Sequence, residues 1–199
     1  MKKTIFFLIA IVIIANLFCQ EAKTERLTGF KGGVNRTRII GGKDVKDTDN
    51  RTGYFFGLYT LEQLSENSVL GIDMLFSAKG GKIKAYHGAA ITELRYFELP
   101  IHFKHIIRTT HNDAEVQPFV GMTPAILLKG ISDYDKERKD ITKDLESFDF
   151  GFNIGVDIVF QKRLILGVTY TKGVTNIMKS TDYSATNSTV SFNLNTVFF

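Results

Sequence analysis

The sequence predicts an all-β protein: an antiparallel up-and-down transmembrane β-barrel of about eight strands, preceded by a cleaved signal helix. Three observations carry this. Residues 148–160 read Phe-Asp-Phe-Gly-Phe-Asn-Ile-Gly-Val-Asp-Ile-Val-Phe, and because side chains alternate faces along a strand, one face is continuously apolar while Asp149, Gly151, Asn153, Gly155 and Asp157 occupy the other. Seven alternate apolar positions exceed an ordinary strand of about five or six residues and suit a tilted strand crossing a bilayer in roughly nine to eleven. Similar segments recur along the chain, joined by connections that alternate long and short. The chain also opens on a secretory-type leader and closes on aromatic residues.

The leader is Met1-Lys2-Lys3 followed by the apolar run Thr4–Ala15, broken at Asn16. Two lysines before a short apolar stretch make a signal peptide, and the run is shorter than the roughly 20 residues of a membrane helix. Cleavage after Cys19 or after Ala22 gives a signal over 1–22 and a barrel domain over 23–199. Bulky Phe18 stands where a lipoprotein box carries a small residue, which speaks against lipidation. Cleavage after Cys19 removes the single cysteine, as suits an oxidising compartment, and lowers the formal charge from +4 to +2. The remaining charges are mixed and form no basic stripe, so nucleic acid is not an expected partner. The 17 phenylalanines suit interfacial aromatic girdles.

Alternation places the strands near 28–36, 52–61, 68–79, 92–106, 115–128, 147–160, 163–173 and 188–199. In the third, Leu70, Ile72, Met74, Phe76 and Ala78 oppose Gly71, Asp73, Ser77 and Lys79, with Leu75 the exception. In the fourth, Phe97, Leu99, Ile101 and Phe103 oppose Tyr96, Glu98, Pro100, His102 and Lys104. In the last, Val190, Phe192, Leu194 and Phe198 oppose Ser191, Asn193 and Asn195. The second and fifth strands do not reveal which face is which. Long connections fall at 37–51, 80–91, 129–146 and 174–187, and short ones at 62–67, 107–114 and 161–162. Outer-membrane barrels have short periplasmic turns and long extracellular loops, so both termini are expected in the periplasm of a Gram-negative envelope. A soluble sandwich has no reason to sort its loops by parity. Closure pairs every backbone N–H and C=O within the hydrocarbon layer. Pro100 cannot donate to that ladder and predicts a bulge or strand end.

Gly29-Phe30-Lys31-Gly32-Gly33-Val34-Asn35, Gly53-Tyr54-Phe55-Phe56-Gly57-Leu58, Tyr96-Phe97-Glu98-Leu99-Pro100-Ile101, Asp149-Phe150-Gly151 with Gly155, and the run Gly167–Ile177 follow one another in an order and spacing that resemble the PorT-like small outer-membrane β-barrel proteins. The resemblance covers nearly the whole mature chain. Thr169 departs from the arginine that these proteins commonly place before the tyrosine of the seventh strand, which weakens any interior charge network inferred from them. The resemblance implies fold and location, and secondarily an accessory part in protein secretion or maturation. The ending Val197-Phe198-Phe199 looks like the aromatic signal read by the barrel-insertion machinery, with Phe198 rather than Phe199 in phase with the apolar face.

Lys31, Asp73, Lys79, Glu98, His102, Lys104, Asp149 and Asp157 are expected to point inward, where an eight-stranded barrel has room only for side chains and opposite charges would form a packed, mutually neutralising plug. A narrow pore or proton path is the functional alternative. His102 and Glu98 share a strand face four residues apart and could act as a base, but no serine, second acid or oxyanion arrangement accompanies them. Acids at alternate positions from Asp133 to Asp140, with Asp144, invite comparison with a calcium loop, yet Arg138 stands where the sharp turn needs glycine and the neighbouring basic residues would repel the ion. Lys79, Lys82 and Lys84 could meet lipopolysaccharide phosphates. The glycines form no phosphate-binding fingerprint and suit tight strand coiling. No catalytic, cofactor or metal residue is therefore expected. The expected function is a non-enzymatic outer-membrane barrel contributing to envelope integrity or surface-loop binding, in contact with outer-membrane lipid and lipopolysaccharide; a secretion accessory comes second, and a lipid-modifying enzyme third.

Overall fold

The computed structural model describes residues 26–41, 48–85, 88–108, 114–134, 137–161, 163–179 and 184–198. The signal segment and Phe199 lie outside the described residues. Eleven strands form one antiparallel sheet: β1 (Arg26–Gly41), β2 (Thr48–Ser65), β3 (Ser68–Ala85), β4 (Gly88–Glu98), β5 (Ile101–His105), β6 (Ile107–Arg108), β7 (Ala114–Tyr134), β8 (Glu137–Asp140), β9 (Phe148–Phe160), β10 (Leu164–Gly173) and β11 (Ala185–Val197).

The pairing closes the sheet on itself. Followed from Arg36 through Val190, Tyr170, Ile154, Val120, Phe103, Leu70 and Glu62, neighbour by neighbour, the register returns to β1 at Arg26, ten residues from its start. An offset of this kind is the stagger that forces barrel strands to tilt. The circuit crosses eight positions, compatible with the expected eight strands. β4 and β5 both lie between β3 and β7, β6 continues beside β7, and β8 folds back on β7.

The interruption between β4 and β5 falls at Leu99-Pro100, where a strand end or bulge is predicted. Two further prolines, which the sequence reading passed over, stand inside β7 as Pro118 and Pro124. Pro124 sits at the same break: Leu99 N–H donates to the Pro124 carbonyl and Asp73 N–H to the Pro100 carbonyl, both at 2.9 Å. Two prolines thus share one gap in the ladder, and the neighbouring carbonyls still find donors.

The strand limits differ from the predicted ones chiefly at the end remote from the termini. β1, β2, β3, β4 and β7 run into segments expected to be long loops, and β8 lies wholly within one. Alternation in sequence ends where lipid ends, whereas backbone pairing continues into water; among the described residues three of the four long connections are therefore largely hairpin extensions, and the fourth is strand only over 185–187. The terminal end has tighter connections, including the turn at Glu66-Asn67 and one at Gln161, whose φ is 49°. β1 and β11 pair there through Gly29 and Val197, so the first and last described strands share that end.

Close strand approach explains Gly57, where a Cβ would lie 1.9 Å from the carbonyl oxygen of Met74. The obstacle is backbone and cannot rotate away. Gly57→Ala should lower folding free energy by about 1 to 3 kcal/mol through overpacking, read as a shifted midpoint in a urea titration of folding into bilayers; an unchanged midpoint would refute the contact.

Candidate functional site

The outward face meets lipid. Phe30, Val34, Phe56, Phe76, Phe103, Val120, Phe152, Ile154, Phe192 and Leu194 are exposed, and Phe56 stacks between Tyr54 and Phe76. Phe198 is 41% exposed and packs against Phe30 at 4.9 Å between ring centroids, with its N–H donating to the Thr28 carbonyl. The C-terminal aromatic is thus on the lipid face, in phase as predicted.

The inward face carries two apolar clusters and a polar network. Near the terminal end Tyr59, Leu61, Val69, Ile106, Val159 and Ile165 form an apolar cluster beside a cavity of about 290 Å³ that is also lined by Gln117, Arg108 and Glu115. At the distal end Ile39, Leu94, Tyr96, Leu127, Leu145 and Ile177 form a second cluster. Leu145 and Ile177 arrive from segments expected to be loops, which fold over the mouth and are tied together by the Leu145–Met178 bridge and the Glu146 N–H to Ile177 carbonyl bond.

Interleaved with these clusters lie all eight polar residues singled out in the sequence, each buried; Lys79 is in register with Leu94 and Lys104 with Val69. Lys31 donates to Asp73 at 2.7 Å. His102 Nε2 lies 3.2 Å from the same Asp73 oxygen, and its Nδ1 lies 3.2 Å from Asn153 Oδ1. Asn153 in turn donates to Thr123 at 2.7 Å. Lys104 donates to Asp157 at 2.5 Å with its ammonium 5.1 Å from the centre of the Phe119 ring, and Lys79 pairs with Glu98. Asp149 accepts from the neutral donors Thr175, at 2.5 Å, and Asn187, at 2.7 Å.

Glu98 and His102 therefore do not pair with each other. They lie either side of the Pro100 break and turn to different partners. A central cavity of about 40 Å³ beside His102 has room for about one water. Lys79 is inside the barrel and does not join Lys82 at the rim; the side chain of Lys84 lies outside the described residues. The acidic loop shows a 3.9 Å Arg138–Asp133 contact, and Asp140 accepts from Thr142, a bond that holds its carboxyl below the usual range. Positions 135 and 136 of that loop lie outside the described residues. Among the described residues, no group of three or more His, Cys, Asp or Glu side chains could hold a metal.

Among the neutral members of the interior, alternation placed Asn153, Asn193 and Asn195 on the polar face, and sequence reasoning missed Asn35, Asn187, Thr37, Thr189 and Gln117. All are buried, and period-two position was the signal that could have found the rest. Gly167 belongs with them, since a Cβ there would lie 1.9 Å from Asp157 Oδ1 and 2.7 Å from Asn193 Nδ2.

A closed, tilted sheet with a lipid-facing exterior and a charge-paired interior defines an integral outer-membrane β-barrel. The chain belongs to the outer membrane protein beta-barrel domain family, whose match spans residues 18–179. Its fold is similar to that of Ail, the attachment invasion locus protein of Yersinia pestis, at 9% identity and a TM-score of 0.54, covering 87% of this chain and 99% of Ail. It is likewise similar to Neisserial surface protein A, at 11% identity and a TM-score of 0.52, covering 86% and 97% of the two chains. No curated protein matches. Identities this low speak to fold alone.

Proposed function

We propose that this outer-membrane barrel is non-enzymatic and non-conducting, with its termini in the periplasm and its distal hairpins outside the cell, where they bind a surface partner or contribute to envelope integrity. The packed, charge-paired interior carries the reading. Lys31, Lys79 and Lys104 each meet a carboxylate, the central cavity beside His102 has a volume of about 40 Å³, and an ion passing between these groups would have to shed most of its hydration. The long hairpins at one end support the orientation by the usual sorting of barrel loops. Lipopolysaccharide and outer-leaflet lipid are the proposed contacts of the rim, and the aromatic C-terminus that of the insertion machinery. Membership of the PorT-like group within the family rests on the glycine- and aromatic-rich strand motifs and supports a second reading, a secretion accessory. Purified protein in planar bilayers should give no discrete conductance steps, and a deletion strain should become sensitive to bile or detergent while export and lipid A products stay unchanged. Discrete channel openings would overturn the sealed interior; lost export would favour the accessory, and altered lipid A products an enzyme.

A further inference from the structure

The lipid-facing side of β10, β11 and β1 changes character sharply with height. Its lower part is apolar: Leu166, Val168, Phe192, Leu194 and Val34 are exposed. Tyr170 and Val190, in register with each other and with Arg36, end that stretch. One step further out, Arg38, Ser188 and Lys172 are in register on three adjacent strands. The hydroxyls of Tyr170 and Ser188 are 3.2 Å apart, marking the height at which polar groups replace apolar ones.

This patch differs in charge from the rest of the distal end. There Arg51 and Arg95 both bind Glu93, and Arg138 contacts Asp133. Across β10, β11 and β1 the alternate outward positions hold no acidic residue, and among the described residues Arg36 and Lys172 pair with no carboxylate. β10 and β1 are separated only by β11, so their Cα atoms are about 10 Å apart, and a lysine and an arginine from the two strands can converge above Ser188. An apolar stripe capped by converging cations and a hydroxyl matches the shape and charge of one lipid molecule, with acyl chains below and phosphate above.

We infer that Arg36, Lys172 and Ser188 hold a phosphate of lipid A from the outer leaflet, with its acyl chains lying along Val168, Phe192 and Val34. The inference rests on the outward orientation proposed above. Arg36 supplies forked donors to phosphate oxygens, Lys172 a point charge, and Ser188 a hydroxyl donor.

The test is binding of diphosphoryl lipid A to the detergent-solubilised, folded barrel by native mass spectrometry, where orientation plays no part. The double variant Arg36→Ser/Lys172→Ser should bind roughly thirtyfold more weakly, given the contribution of each basic residue at an anionic surface, while Arg163→Ser, exposed at the terminal end, binds as wild type. Heat-modifiable migration of each variant checks that it is folded; should the double variant not fold, each single variant replaces it, with a smaller loss expected. Wild-type binding that survives removal of the lipid A phosphates, or that phosphatidylglycerol matches, would overturn the inference, as would unchanged binding by the variants. Surface proteolysis of whole cells tests the orientation separately: a distal hairpin cleaved only after the outer membrane is broken would overturn the outward reading while leaving the detergent result to stand or fall alone.

Discussion

Lys104→Met should remove about 3 to 5 kcal/mol of folding free energy, the usual cost of stranding one member of a buried ion pair. Lys104 and Asp157 are 2% and 0% exposed, and Asp157 Oδ1 has no hydrogen-bond partner, so the carboxylate depends on the ammonium that meets its other oxygen. The closeness of Gly167 leaves Asp157 no space to swing away. Removing the orphaned charge as well, in Lys104→Met/Asp157→Asn, should recover more than half of the loss, because a neutral amide is far cheaper to bury than a carboxylate. The measurement is a urea titration of folding into bilayers, followed by heat-modifiable migration. If the double variant is as unstable as the single, packing around the lysine stem rather than charge accounts for the cost.

The legibility of this fold follows from where the chain meets a boundary between solvents. Along β9 every outward residue is apolar and Asp149, Asn153 and Asp157 lie within, so period two reads directly. Along β2 the pattern blurs because Phe55, Tyr59 and Leu61 point into the barrel while Tyr54 and Phe56 point to lipid; with apolar groups on both faces, alternation cannot say which is which. Tyr59 and Leu61 belong to the apolar cluster at the terminal end, so the feature that hid the face assignment is the one that builds that cluster. Leu75 is the small case of this rule: an exception to alternation in sequence, it is 4% exposed and turns inward. Charge partners were less legible still. Glu98 and His102 are close in sequence but separated by the Pro100 break, whereas Lys31 and Asp73 meet across 42 residues because β1, β2 and β3 are neighbours in a tightly curved sheet. Such pairings depend on stagger, which no single strand encodes.

Ile154→Arg should destabilise the barrel by about 2 to 4 kcal/mol, the cost of an arginine on the lipid face near the bilayer midplane. Ile154 is 58% exposed in the middle of β9, flanked in register by Val120 and Tyr170, so no neighbouring carboxylate can receive the guanidinium. The adjacent Asn153→Ser tests the inner face. Its amide touches both His102 and Thr123, and a serine is too short to meet both, so this change should cost about 1 to 2 kcal/mol through a lost buried hydrogen bond. Sequence alternation alone would make that inner substitution nearly harmless, whereas the polar network gives it a measurable cost. The two effects also differ in kind: thinner bilayers should ease Ile154→Arg by bringing the interface closer to the guanidinium and leave Asn153→Ser unchanged. Equal responses of both variants to bilayer thickness would mean that residues 153 and 154 do not face different solvents.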